Sequence, residues 1–360
     1  MKQLGGVGAI LAVVVALLTV ACGGTSSAAN EGSEGGKLTL VAYSTPQEAY
    51  EAIIPAFQKT AEGKGVEFDQ SYGASGEQSR AVEAGLPADV VEFALDSDIT
   101  RLVDAGLVDS DWNQNEYKGI LTDSVVSFVV RKGNPDDIQT WDDLLKPGVE
   151  VVTPNPFTSG GARWNVMAAY GAQIKQGKSK EEAVAYLNEL FQHVVVQDAS
   201  ARDALQTFTG GKGDVLLSYE NEAITAQQKG ENVDYVIPDQ TILIENPVAV
   251  TTDGPQSATD FVKFLYSDEA QKIFGEKGYR PVVKSVADQF RLRDAVDSLH
   301  HPGLWRLGHS QGRVLRSGER NRGQDRGVSG GVDRFRLEPK RSASQFVEPR
   351  PGVPPSDAAS

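Results

Sequence analysis

Asn155-Pro156-Phe157-Thr158-Ser159-Gly160-Gly161-Ala162-Arg163-Trp164-Asn165 sets a Ser-Gly-Gly turn where an extended run meets a helical one. Upstream, Gly148 to Thr153 alternates as a strand does. Downstream, Ala162 to Tyr170 has helical composition, so residues 159–161 fall at a helix N-terminus. The first N–H groups of a helix have no partner within it, and two glycines leave them unobstructed. With the positive end of the helix dipole behind them and the Ser159 hydroxyl beside them, they form a seat for an oxyanion. Ser is also a favoured N-cap and Gly a favoured turn residue, so an ordinary capping loop is the plain alternative.

The same alternation extends in both directions. Lys37 to Tyr43 reads as a strand, Pro46 to Ala61 as a helix, Val66 to Asp69 as a strand and Glu77 to Ala84 as a helix. Further strands are expected at Asp89–Ala94, Val125–Arg131, Val149–Thr153, Val194–Asp198 and Asp214–Ser218. This rhythm is that of an α/β fold, and near-continuous apolar strands imply sheets flanked by helices on both faces. In such sheets ligands lie at the carboxyl ends of the strands. Other anion-type turns fall at such ends: Tyr43-Ser44 after the first strand, Ser75-Gly76 before one helix and Ser200-Ala201-Arg202 before another. Converging helix N-termini would surround one ligand with neutral donors. His193, His300, His301 and His309 are too few and too badly spaced to hold zinc, and no metal or cofactor is expected.

With 360 residues, 40% of them hydrophobic and 23% charged, the chain can bury a large core and is long enough for two domains. Its start is different in kind. Met1-Lys2 precedes the apolar stretch Val7 to Ala21, which is short for a membrane span and ends at Cys22, the one cysteine of the chain. Leu18-Thr19-Val20-Ala21-Cys22 resembles a bacterial lipobox, with Thr19 where that motif prefers Leu. Residues 1–21 are therefore expected to be a lipoprotein signal peptide, Cys22 the lipidation site, and the Gly/Ser/Ala-rich residues 22–36 a flexible tether to the membrane. With Cys22 lipidated, no thiol is left for disulfide or redox chemistry.

The charge balance breaks near Phe290. The chain as a whole carries a net charge of −14, yet residues 291–360 are net basic, rich in Arg, Gly, Ser and Pro. An Arg-rich tail suits nucleic acid, but an exported lipoprotein rarely meets any and this tail also carries acids, so no nucleic-acid partner is expected. Codons for Leu304 to Arg322 can be chosen so that a neighbouring frame reads Phe-Gly-Gly-Trp-Ala-Thr-Val, and the tail is read as a frameshifted or disordered extension. Gly308-His309-Ser310-Gln311-Gly312 fits the nucleophile elbow of a serine esterase. That reading fails because every His precedes Ser310, where the elbow's chain order needs an acid and then a His after it.

Several blocks together resemble the periplasmic sulfate-binding proteins of ATP-driven sulfate permeases. They are Ser71-Tyr-Gly-Ala-Ser-Gly76, Val130-Arg-Lys-Gly-Asn-Pro135, Trp141 to Gly148, Thr153-Pro-Asn-Pro156, Ser159 to Asn165, Tyr219-Glu-Asn-Glu-Ala223 and Gly278-Tyr-Arg-Pro281. The resemblance implies a two-lobed type II periplasmic-binding-protein fold with mixed sheets and a ligand cleft between lobes. Residues 37–122 and 244–290 would form one lobe and residues 123–243 the other. It also implies a non-enzymatic receptor that holds a dehydrated sulfate without a countercharged side chain and hands it to the membrane subunits of the permease. Position by position, the donors would be the backbone N–H groups of Ser44, Ser75, Gly160, Gly161 and Ala201 and the Ser159 hydroxyl; Tyr219 would either add its hydroxyl or serve as a core aromatic. Arg163 and Arg202 would support them from behind. Two positions depart from the family pattern: Ser44 stands where Asp is common, and Tyr219 where a Trp is. Thiosulfate and molybdate share the same oxyanion logic and stay open as ligands.

Overall fold

The computed structural model describes residues 36–290 together with a short strand at residues 297–298. The signal peptide, Cys22 and nearly all of the tether, the rest of the tail and its Ser310 motif lie outside the described residues. In chain order the elements begin with β1 (Lys37–Tyr43), α1 (Gln47–Phe57), β2 (Glu67–Gly73), α2 (Ser75–Glu83), β3 (Val90–Glu92), α3 (Asp96–Asp104) and β4 (Ile120–Arg131). A 3-10 turn at Trp141–Leu145 leads to β5 (Val151–Pro154), α4 (Gly160–Lys175), α5 (Lys180–His193), β6 (Val194–Asp198), α6 (Ala201–Thr209), β7 (Val215–Tyr219) and α7 (Glu220–Gln228). The chain continues through β8 (Val233–Val236), β9 (Gln240–Thr241), β10 (Leu243–Val250), α8 (Gln256–Leu265), α9 (Asp268–Glu276), β11 (Arg280–Pro281), α10 (Lys284–Ala287) and β12 (Asp297–Ser298).

Sheet order β2-β1-β3-β10-β4-β7-β5-β6 places two parallel triplets on either side of the antiparallel pair β4 and β10. β1 pairs in parallel with both β2 and β3, and β5 in parallel with both β6 and β7. The two triplets run in opposite senses. β3 is antiparallel to β10, with Glu92 opposite Val248, while β10 is antiparallel to β4, with Leu243 opposite Val125. β7 is antiparallel to β4, with its last residue Tyr219 opposite Val126. Both sets of carboxyl ends therefore point at the middle of β4, which runs on from one lobe into the other.

Central strands of both lobes carry apolar residues on both faces, as the sheet's period of two requires when helices cover both sides. Leu38, Leu40 and Ala42 of β1 pack with Tyr50, Ile53 and Phe57 of α1, while Val41 points to the opposite face with Ile99 and Leu102 of α3. The second lobe repeats this: Val215, Leu217 and Tyr219 of β7 pack toward Trp164 and Ala168 of α4, and Leu216 packs toward Leu205 and Phe208 of α6.

One carboxyl is sealed in the first core. Glu92 is fully buried, accepts a hydrogen bond from the Tyr50 hydroxyl at Oε2 and has no partner at Oε1. Burial pushes its pKa up to about 8, the Tyr50 bond opposing only part of the shift. Between its ordinary value of 4.5 and about 8 the native state keeps a proton that the unfolded chain has lost, so stability falls as pH rises. Glu92→Gln, which keeps the bond from Tyr50 and has no proton to lose, is expected to remove about 1–3 kcal/mol of that fall. Urea unfolding of both proteins at about pH 5 and pH 8 reads the difference; parallel pH dependences would mean that Glu92 is already ionised in the native fold.

Candidate functional site

Three helix N-termini meet at the cleft. Ser75 opens α2, Gly160 and Gly161 open α4, and Ala201 opens α6, each directly after a strand end. Ser159 is the N-cap of α4, its hydroxyl oxygen accepting from the Ala162 N–H at 3.3 Å, so the capping role and the anion role fall on one residue. That cap leaves the Ser159 O–H proton available to donate elsewhere. Ser200 caps α6 in the same way, accepting from the Asp203 N–H at 3.2 Å.

Contacts within and between the lobes join these ends. The Gly76 N–H donates to the Thr158 carbonyl at 3.0 Å, seating the first turn of α2 on the loop before α4. A Cβ built on Gly160 would lie 2.7 Å from the Ala94 Cβ and 3.3 Å from the Ser75 Cβ, so only glycine permits this approach. Trp164 Nε1 donates to the Ala94 carbonyl at 2.7 Å, one turn farther along α4. Opposite, the Arg202 N–H donates to the Ser44 hydroxyl oxygen at 3.4 Å, and the Thr158 hydroxyl donates to the Ala199 carbonyl at 2.7 Å. Tyr219 closes the circuit: a Cβ on Gly161 would lie 2.6 Å from its ring, which stands 6.2 Å from the Tyr43 ring. Pairwise contacts thus link Gly160 to Ser75, Gly161 to Tyr219, and the first turn of α6 to Ser44.

The Tyr219 side chain is buried, and its hydroxyl has no hydrogen-bond partner among the described residues. Burial raises its pKa well above the ordinary phenol value, and nearby Glu222 and Asp98 raise it further. It is a neutral O–H donor at any physiological pH. The Ser75 hydroxyl is already committed, donating to Asp98 at 2.6 Å and accepting from the Ala94 N–H at 3.0 Å, which leaves that residue its backbone group.

Both arginines are engaged with carboxylates. Arg163 donates from Nε to the Pro156 carbonyl at 3.0 Å and lies 3.8 Å from Asp98. Arg202 does more than support a neighbour. Its guanidinium donates to Glu222 of α7 at 2.7 Å, to Glu48 of α1 and to the Thr45 carbonyl at 3.1 Å, so one side chain ties α6 to the first lobe. Lys229 pairs with the same Glu48. Burial works against the charge on Arg202, but Glu222 and Glu48 outweigh it and hold its pKa above the usual value. Glu48 carries no local sequence signal: it is one acid on an amphipathic helix, and only the tertiary fold brings Arg202 to it.

Backbone donors at three helix starts thus lie close together, with Arg163 and Arg202 held in ion pairs. The profile of the bacterial extracellular solute-binding proteins matches residues 38–280, and the chain belongs to that family. The sulfate-binding protein of Synechococcus elongatus is 46% identical over 291 residues, covering 78% of this chain and 83% of the relative. The thiosulfate-binding protein of Pseudomonas aeruginosa is 35% identical, covering 80% of this chain and 90% of the relative. Among solved structures, the sulfate-binding protein SubI of Mycobacterium tuberculosis is 46% identical with a TM-score of 0.69, over 71% of this chain and 92% of that one.

Removing Arg202 should expose how the cleft is held. Arg202→Met leaves the fully buried Glu222 without its cation and is expected to lower the unfolding free energy by about 3–5 kcal/mol. Equilibrium urea denaturation measures this; a loss below about 1 kcal/mol would show the network to be a weak surface pairing.

Proposed function

We propose that this chain captures sulfate outside the cytoplasm and delivers it to the membrane subunits of an ABC permease. Residues 37–122 and 244–290 form one lobe of the receptor and residues 123–243 the other. Its donors are the backbone N–H groups of Ser44, Ser75, Gly160, Gly161 and Ala201 with the hydroxyls of Ser159 and Tyr219. The buried, unpartnered Tyr219 hydroxyl beside Gly161 carries this reading, because a donor left unpaired in a dry pocket costs about 1–3 kcal/mol until an acceptor arrives. The 46% identity to sulfate-binding proteins supports sulfate as that acceptor. Lipidation at Cys22 after removal of residues 1–21 would hold the receptor at the membrane face where its permease lies.

Sulfate fits donor-only chemistry because it carries two charges and no proton at neutral pH. Hydrogen phosphate would bring an O–H that needs an acceptor, and a pocket of donors offers few. The phenol oxygen of Tyr219 can accept as well as donate, so phosphate rejection rests mainly on the backbone groups. The net charge of −14 repels an incoming dianion only weakly, since physiological salt screens beyond about 8 Å. Thiosulfate is the second reading, favoured by the 35% identity to a thiosulfate-binding protein.

Isothermal calorimetry with sulfate, thiosulfate, molybdate and phosphate tests the proposal. Sulfate is expected to bind at least tenfold more tightly than phosphate, and equal affinities would overturn the donor-only argument. Tyr219→Phe, which keeps the ring against Gly161, is expected to weaken sulfate about tenfold. An unchanged affinity would remove the hydroxyl from the ligand shell.

A further inference from the structure

A groove of about 530 Å³ lies open beside the cleft, and the anion site does not use it. Its floor is Trp164, Val166 and Met167 of α4 with Phe191 of α5, and the far wall is Leu95 at the start of α3. Phe157 stands at the lip with 81% of its surface exposed. An apolar recess of this size beside an exposed aromatic marks an interaction surface.

The course of the chain says what covers it. Phe290 packs against Gly275 of α9 in the first lobe. Farther on, β12 lies parallel to β9, with Asp297 opposite Gln240 and Ser298 opposite Thr241. This brings the chain onto the second lobe beside α4, since β9 packs on that helix and its Gln240 carbonyl accepts from Trp141 Nε1 at 2.7 Å. Direction agrees with placement: β9 leads into β10, which runs back along β4 toward the first lobe, so β12, parallel to β9, also aims at the junction where Leu95 faces α4. Another 62 residues follow Ser298, beginning Leu299-His-His-Pro-Gly-Leu304-Trp305-Arg-Leu307. The six residues from Ser298 to Leu304 reach up to about 20 Å, comparable with the whole length of α4 at about 24 Å.

We propose that the groove is the seat of the chain's own C-terminal segment after Ser298, with Leu304, Trp305 and Leu307 filling the apolar recess.

Disulfide trapping in the full chain tests this. With Cys22→Ala as background, Met167→Cys with Gly303→Cys is expected to form an intramolecular disulfide under mild oxidation. Leu86→Cys with Gly303→Cys, whose first thiol sits on a distant exposed site of the first lobe, is expected to form none. In an independent arm with no new cysteine, Trp305→Asp should raise Nile red fluorescence several-fold, and adding Met167→Arg should abolish the rise. Equal trapping at positions 86 and 167, no trapping at 167, or dye binding indifferent to Trp305→Asp would overturn the proposal. A Met167→Cys adduct found only between two molecules would also overturn it, because the occupant would then be a second copy of the chain.

Discussion

The opposed polarity of two parallel strand triplets is the constraint on which the cleft depends. Because β1–β3 and β5–β7 both run toward the middle of β4, the helices that follow them begin there, and their first turns meet across the lobes. A sheet of uniform sense would scatter the same turns over one edge. The glycines at 160 and 161 are then required by proximity, with Ala94 and Tyr219 too near for any side chain.

Charge management follows from that geometry. Several carboxyls around the three helix starts are paired or buried. Asp98 faces Arg163, and burial raises its pKa above the ordinary carboxyl value. Glu222 and Glu48 share Arg202, and Glu92 keeps its proton to about pH 8. The arginines meanwhile are spent on carboxylates. Backbone dipoles, unlike these ion pairs, cannot be lost by titration.

Much of this was legible from local sequence. Residues 194–198 were read as a strand and are one, and the Ser-Gly-Gly turn lies where strand-to-helix composition placed it. Other helix starts were less visible: α2 begins at Ser75 rather than Glu77, because Ser75 and Gly76 look like turn residues until their contacts with Asp98 and Thr158 are seen. The start of β4 was missed, since Thr122-Asp123-Ser124 breaks the apolar run that marks β5 or β7. Those polar residues are held by tertiary partners: the Ser124 hydroxyl donates to Asn221 at 2.8 Å, and Asn246 Nδ2 donates to Thr122 at 3.2 Å. β10, with Asn246-Pro247 in its middle, was hidden for the same reason. The cross-lobe role of Arg202 could not be read at all, because its partner Glu48 is remote in sequence and unremarkable in place.

The pairing of β3 with β10 also sets the order in which the chain can become a protein. Val91 lies opposite Ala249, with the entire second lobe threaded between them. Until that later strand has emerged, β3 has a free edge and the core around Val90 and Leu121 lacks Val248. The second lobe, whose β5, β6 and β7 lie close together in sequence, can condense first, because the shorter loops it closes lose less entropy. The part of the chain made first is then the last to be finished. Its exposed strand edge needs protection from neighbouring chains in the meantime.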